Sequence, residues 1–380
     1  MRRAARALAA LALICAALGA WVSYFKATQP IVNDFHVYYR ASTALRDARW
    51  DDVYEWQKSH YPFRYAPLTL PLFVPLAWME EHTARAAWFL LQLACLISAW
   101  LAIHRLIARQ RGADFALLTT SAAFLLTFRY FLDSFWCGQV SGVLFLLFTL
   151  FCLGSRASLA AAAALKVGPG LAFLADDFGG WRRRRTWFAV AGTLAALQLL
   201  ALALLPHAPW AQLYRDWLAV VRADDGYFDS STARNQAIYG AALRLGLDHP
   251  WLAPWAGPIW KLFVAAGFGL SLWLGSLATR LGEGRAELGL IRSLGVLLYV
   301  VLMPQALPYA LLLLGLPIAL LLASRRPPWV ALSIFALLGS IPGTDVVGYR
   351  ATEWIQWNSL PLAAALLLLA CGLSSLPKAS

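Results

Sequence analysis

Apolar runs rich in Leu and Ala recur along this chain from residue 4 to residue 376, and only two polar stretches between them are long. A continuous run of about 20 apolar residues needs lipid around it. The chain is 60% hydrophobic and 14% charged, against a charged share of about 25% in soluble domains, so it cannot clothe a water-facing surface. A cytosolic enzyme on one anchor is excluded because the runs fill the whole length. An outer-membrane barrel is excluded because its strands alternate polarity in short segments, and these runs do not. The expected fold is an all-α polytopic membrane protein. It forms one domain over residues 1–380, because about twelve spans of roughly 20 residues leave only loops and termini.

The first run follows Met1-Arg2-Arg3 and continues past Leu18-Gly19-Ala20 through Trp21, Val22 and Tyr24-Phe25, so it reads as an uncleaved first span with its start in the cytoplasm. A polar stretch at about 26–64 follows outside. Five further runs, at about 65–80, 84–104, 115–131, 140–154 and 158–175, return the chain inside. There it meets Trp181-Arg182-Arg183-Arg184-Arg185, in agreement with the positive-inside rule. On this count Arg105, Arg109 and Arg111 fall outside, against the rule. A second outer stretch, about 206–252, and five more spans leave both termini inside.

The net charge of +12, from 32 Lys plus Arg against 20 Asp plus Glu, would suggest nucleic acid in a soluble protein. In a membrane chain it reads as cytoplasmic bias and attraction to anionic headgroups and lipid phosphates, with no nucleic-acid partner. Cys15, Cys95, Cys152 and Cys371 lie inside apolar runs and read as small core residues, not disulfides. Many of the 18 tryptophans stand at run ends, as in an interfacial belt. No cofactor or metal constellation is visible. His36 has no ligand partner at useful spacing, and Asp51-Asp52 and Asp224-Asp225 read as solvated loop pairs. The absence of a Gly-rich phosphate loop argues against ATP or a nucleotide sugar as the immediate donor.

The two long loops share one face, so a site built from both opens to the extracytoplasmic side. In the first, Phe35, Tyr38, Tyr39, Ser42 and Leu45 recur at i, i+3, i+4, the spacing of an amphipathic helix lying on the membrane surface. Asp34 stands at its start. Two readings are open: a helix N-cap, or a catalytic carboxylate held at the interface.

The order of motifs here resembles the family-87 membrane glycosyltransferases of the GT-C class. The elements are Asp34 with the paired aromatics Tyr38-Tyr39, then Phe63-Arg64-Tyr65-Ala66-Pro67 leading into a Pro-bounded run, Cys137-Gly138-Gln139-Val140, Leu165-Lys166-Val167-Gly168-Pro169, and Arg234-Asn235-Gln236-Ala237. The resemblance implies a GT-C-type fold in a bacterial inner membrane. It also implies an inverting transferase that moves a hexose, usually mannose, from a polyprenyl-phosphate carrier to a lipid or glycan acceptor outside the cytoplasm. Asp34 would then be the general base, because a sugar hydroxyl is a poor nucleophile, whereas the phosphate leaves already ionised and needs no acid. Lys166, in an apolar run, is the first candidate to hold that phosphate; its plainer roles are snorkelling or pairing with Asp176. Arg64, Arg234 and Arg350 are further candidates. Tyr38, Tyr39, Tyr65, Asn235 and Gln236 complete the expected substrate contacts. Gln139 belongs with them by motif, although the topology above leaves it nearer the cytoplasm. The family often carries a late His after Ser-Pro; here the stretch reads Leu302-Met303-Pro304-Gln305-Ala306-Leu307-Pro308-Tyr309, and Gln305 or Tyr309 is left to supply a hydrogen bond. The rival classes are a flippase of lipid-linked glycans, which needs polar groups along its whole path, and a non-catalytic membrane subunit.

Overall fold

The computed structural model describes residues 2–31, 33–55, 63–166, 172, 174–176, 180–222, 231–281, 286–324, 327–341 and 344–376. Among them there is no strand. The helices are α1 (Arg2–Thr28), α2 (Asp34–Arg46), α3 (Glu81–Arg111), α4 (Ala113–Cys137), α5 (Ser141–Cys152), α6 (Arg156–Leu165), α7 (Gly180–Leu204) and α8 (Trp210–Arg222). They continue with α9 (Ile238–Asp248), α10 (Ala256–Leu281), α11 (Ala286–Leu302), α12 (Gly315–Leu322), α13 (Trp329–Phe335), α14 (Thr344–Val347), α15 (Tyr349–Trp357) and α16 (Leu360–Ser374). The chain is an all-α polytopic membrane protein.

Among the described residues, five helices are long and apolar enough to cross a bilayer: α1, α3, α4, the Arg184–Leu204 part of α7, and α10 with the turn before it. A sixth is made by α15 and α16 if that pair, bent by 51°, is one span. The other apolar runs form shorter helices, including Ser141–Cys152, Arg156–Leu165, Pro308–Leu322 and Trp329–Ser340. The buried middle of the bundle is made by α4, α5, α11 and α12, whose inward Phe, Leu and Val side chains pack as one cluster.

Two runs expected as crossings are not crossings. Residues 67–78 form two 3-10 helices, Pro67–Leu72 and Val74–Trp78. Pro67, Pro71 and Pro75 each remove a backbone donor and fix φ, which denies this stretch a continuous α-helix. The second is the run 158–175. Helix α6 starts at Arg156 and stops at Leu165, a rise of about 15 Å. Ten residues after Lys166, Asp176 bonds back to Arg156 at 2.9 Å, so the chain returns to the end it left.

Removing two crossings keeps the parity and settles the conflict over the basic segments. Helix α4 now ends beside Asp34, with Asn33 Nδ2 donating to Trp136 O at 3.1 Å. Its start, where Asp114 pairs with Arg2 at 2.8 Å, lies at the opposite end of the bundle. Arg105, Arg109 and Arg111, in the last turns of α3, therefore lie at that opposite end. The four-Arg run opens α7 there too, four residues beyond Asp176, and the far part of α7 packs on the Pro67–Leu72 turn near Asp34. Cys15, Cys95, Cys152 and Cys371 are free, as is Cys137, which the sequence reading had not placed in an apolar run.

Candidate functional site

The site begins where α2 begins. Asn33, not Asp34, caps the helix: its side chain accepts from His36 N at 3.3 Å. The capping alternative for Asp34 is thereby removed, and its carboxylate is left free for another role. Arg85, 2% exposed on α3, holds this corner by donating to Asn33 Oδ1 at 3.2 Å, Ile31 O at 2.8 Å and Glu81 Oε1 at 2.6 Å. His36 Nδ1 lies 3.3 Å from the same Glu81 oxygen.

Gly138 brings the second element in. It ends α4 in the left-handed conformation, φ +68°, and a Cβ there would lie 2.8 Å from the Phe35 Cβ. Only Gly satisfies both the backbone and the approach. The Trp88 indole donates to Gly138 O at 2.9 Å and fixes the turn. The next residue, Gln139, is buried and hydrogen-bonds to Asp34 through its side chain. Its Oε1 is a long 3.5 Å from the Tyr38 hydroxyl, which turns the amide N–H group toward the carboxylate. Gln139 thus lies at the same end of the bundle as Asp34, not at the opposite end implied by counting residues 65–80 as a crossing.

Tyr38 sits one turn after Asp34, and its hydroxyl meets that of Tyr65 at 2.8 Å. Phe63, Phe73 and Trp88 enclose the Tyr38 ring. Burial pushes both phenols well above their ordinary range, so both stay neutral hydrogen-bonding groups.

Three cations converge on Asp34 from distant parts of the chain: Lys166 at the end of α6, Arg64 before the first 3-10 turn, and Arg234 in the second long loop. The Trp217 indole of α8 donates to Arg64 O at 3.0 Å, tying the two loops together. Lys166 Nζ lies 5.5 Å from the Tyr309 ring centroid, and Tyr309 itself is within electrostatic reach of Asp34 and Tyr65. Tyr309, one of the two residues left to supply a hydrogen bond in place of a late His, therefore stands at the site. Burial raises the pKa of the Asp34 carboxyl; the Gln139 hydrogen bond and then the charges of Lys166, Arg64 and Arg234 oppose that rise without cancelling it. The result is a carboxylate of increased basicity beside a cluster of positive charge, the pairing needed to deprotonate a hydroxyl next to an anionic group.

Other expected contacts lie elsewhere. Asn235 and Gln236 are buried in backbone bonding. Asn235 accepts from Ala306 N at 2.9 Å and donates to Pro304 O at 3.0 Å; Gln236 Nε2 donates to Ala233 O at 2.7 Å and Gln356 O at 2.9 Å. They stitch the second loop to the 303–307 break and so position Arg234. Tyr39 points away, its hydroxyl donating to Met79 O at 2.9 Å. Arg350 is exposed on α15. Asp176 does not pair with Lys166; it is held by Arg156 and by Arg292 at 2.8 Å.

Among the described residues three buried arginines escaped the sequence reading, Arg292 beside Asp176 being one. Arg85 carried the same signal as Lys166, a charge in an apolar run. Arg244, 1% exposed, gave none: it donates to Trp357 O at 2.9 Å, Thr232 O at 2.7 Å and Ser359 Oγ at 2.6 Å, acceptors that no spacing announces. Among the described residues no cluster of His, Cys, Asp or Glu could hold a metal ion.

The family model for glycosyltransferase family 87 matches residues 63–304, more than half of the chain. That stretch contains Arg64, Tyr65, Gln139, Lys166 and Arg234; Asp34 precedes it. No curated protein and no solved structure matches the chain. With its Pro-bounded turns, its Gly-Gln corner and its intramembrane Lys inside the matched stretch, this membrane protein belongs to glycosyltransferase family 87.

Proposed function

We propose that this glycosyltransferase transfers a hexose, in the first instance mannose, from a polyprenyl-phosphate carrier to a lipid or glycan acceptor on the extracytoplasmic face of a bacterial inner membrane. The acceptor oxygen bonds to the anomeric carbon as the bond from that carbon to the phosphate oxygen breaks. Asp34 takes the hydroxyl proton, and polyprenyl phosphate leaves with the electron pair. Lys166, Arg64 and Arg234 hold the phosphate, whose charge they match. Attack opposite the leaving group inverts the anomeric centre.

The observation that carries this reading is the convergence of one basic carboxylate and three cations from four separate segments. The orientation rests on charge. Arg2, Arg3, Arg105, Arg109, Arg111 and residues 182–185 gather at the end opposite Asp34, and such an end faces the cytoplasm. A flippase would need polar groups along a whole path through the membrane, whereas the Asp34 carboxylate and its three cations gather at one end, and the Arg129–Asp133 pair of α4 reaches only about 12 Å below it by helical rise. The test is incubation of the purified protein with a panel of polyprenyl-phosphate sugars and a membrane lipid extract, with mass spectrometry of the lipids. A new hexosylated lipid that depends on one donor is expected; consumption of a nucleotide sugar in its place would overturn the donor assignment.

A further inference from the structure

Helix α4 carries a charged pair that the site above does not use. Arg129 Nε and Asp133 Oδ2 are 4.0 Å apart, with side chains 20% and 18% exposed. They lie about 12 and 6 Å below the Cys137 end of the helix by helical rise. On one side of them α4 packs against α1, where Phe128 and Leu132 close over Gly19 and Trp136 stacks under Lys26 Nζ at 3.6 Å. On the other side it packs against the segment 336–340, where Tyr130 donates to Gly339 O and Leu126 O accepts from Ser340 Oγ. Arg129 and Asp133 therefore fall in the seam between two lines of contact. Asp133, Cys137 and Arg234 continue the seam upward, since the Cys137 side chain is within electrostatic reach of Arg234, Asp133 and Asp34. Ionisable groups at this depth are costly unless used.

We propose that this seam is the lateral route by which a lipid-anchored, hydroxyl-bearing acceptor reaches Asp34, with Arg129 and Asp133 binding its polar head. The proposal rests on the transferase reading. A carboxylate one turn below Cys137 accepts bonds from hydroxyls, and it repels an anionic phosphate. The acceptor therefore suits the Arg129–Asp133 part of the seam, and the donor phosphate suits Lys166, Arg64 and Arg234, the last standing where the seam meets the site. The order along α4, guanidinium deeper and carboxylate nearer the base, lets a head rise from the bilayer with its hydroxyls toward Asp34.

The experiment measures transfer from a polyprenyl-phosphate hexose in proteoliposomes, with the wild-type protein, Asp133→Asn and Arg129→Gln. The lipid acceptor is supplied as graded membrane lipid extract, and a water-soluble alkyl glycoside serves as the unanchored alternative. Loss of one charged hydrogen-bonding partner should raise the apparent KM for the extract by about tenfold, leave the donor KM within about twofold, and shift the soluble acceptor's KM less than the extract's. Unchanged KM for the extract would overturn the proposal, as would an increase confined to the donor. Equal loss toward every substrate together with a lowered melting temperature would show the pair to be structural and also overturn it. If the wild-type protein transfers to no acceptor, the transferase reading fails first and the route with it.

Discussion

Asp34 is basic because burial outweighs its neighbours, and the sign of that balance has two consequences. On the proposed mechanism transfer requires the ionised form, so kcat/KM should rise with pH through the raised pKa. Lys166 lowers that pKa, so Lys166→Met should move the acid limb of the profile to higher pH as well as weaken donor binding. A limb that stays in place would show that Lys166 does not act on Asp34. The second consequence concerns stability. A carboxyl whose folded pKa is raised binds its proton more tightly when folded, so its contribution is greatest below the unfolded value of about 3.8. Stability is then lost as pH rises through the window up to the folded pKa. Above that window the charged Asp34 is a net cost. Asp34→Asn should therefore melt in detergent no lower than wild type at pH 7, and higher if the carboxylate is fully charged there. A clearly lower melting temperature would give Asp34 a structural role that the Asn33 cap argues against.

At the scale of elements, the corner between α2 and α4 sets the distance from Asp34 to Gln139. Gly138→Ala adds a Cβ at a positive φ and 2.8 Å from Phe35, at a backbone cost of about 1–2 kcal/mol plus the displacement. Gly112→Ala is the control, since Gly112 has φ +90° with nothing within 4 Å of its Cβ. Thermal unfolding and turnover should separate them: both lose stability, and only the Gly138 variant loses turnover by more than its stability loss explains. Equal effects on turnover would mean that the corner does not position the site. Part of this corner was legible in the sequence. Amphipathic spacing gave α2, Asp34–Arg46, in which Phe35, Tyr38, Ser42 and Leu45 are buried as expected and Tyr39 is not. The Gly-Gln pair stood out only as a motif; that Gly138 ends α4 in the left-handed conformation was not read from it. The bonding of Asn235, Gln236 and Arg244 was not legible. Their partners are mostly backbone groups, of residues as far as 120 positions away, and an amide that meets backbone has the same sequence signature as one that meets sugar.

At the scale of the molecule, hydropathy gave the class of fold, and it failed where length alone decides a crossing. The stretch 67–78 is apolar yet punctuated by proline, and α6 is apolar yet only 10 residues long. Both errors concern elements that turn back, and together they leave the parity of the count unchanged. Single cysteines in a cysteine-free background test the proposed orientation. A cysteine replacing Arg215, exposed on α8, should react with an impermeant thiol reagent in intact spheroplasts, and one replacing Arg185, exposed near the start of α7, should not. The reverse pattern would put the site on the cytoplasmic face.

The most direct measurement is the rate of hexose transfer from a polyprenyl-phosphate donor to lipid acceptor by the purified wild-type protein and by Asp34→Asn at the same detergent and pH. With the fold kept, turnover should drop by on the order of 10²- to 10⁴-fold, the worth of a positioned base, while donor binding persists because the cations are untouched. Turnover within a few-fold of wild type would contradict the assignment of Asp34 as the base.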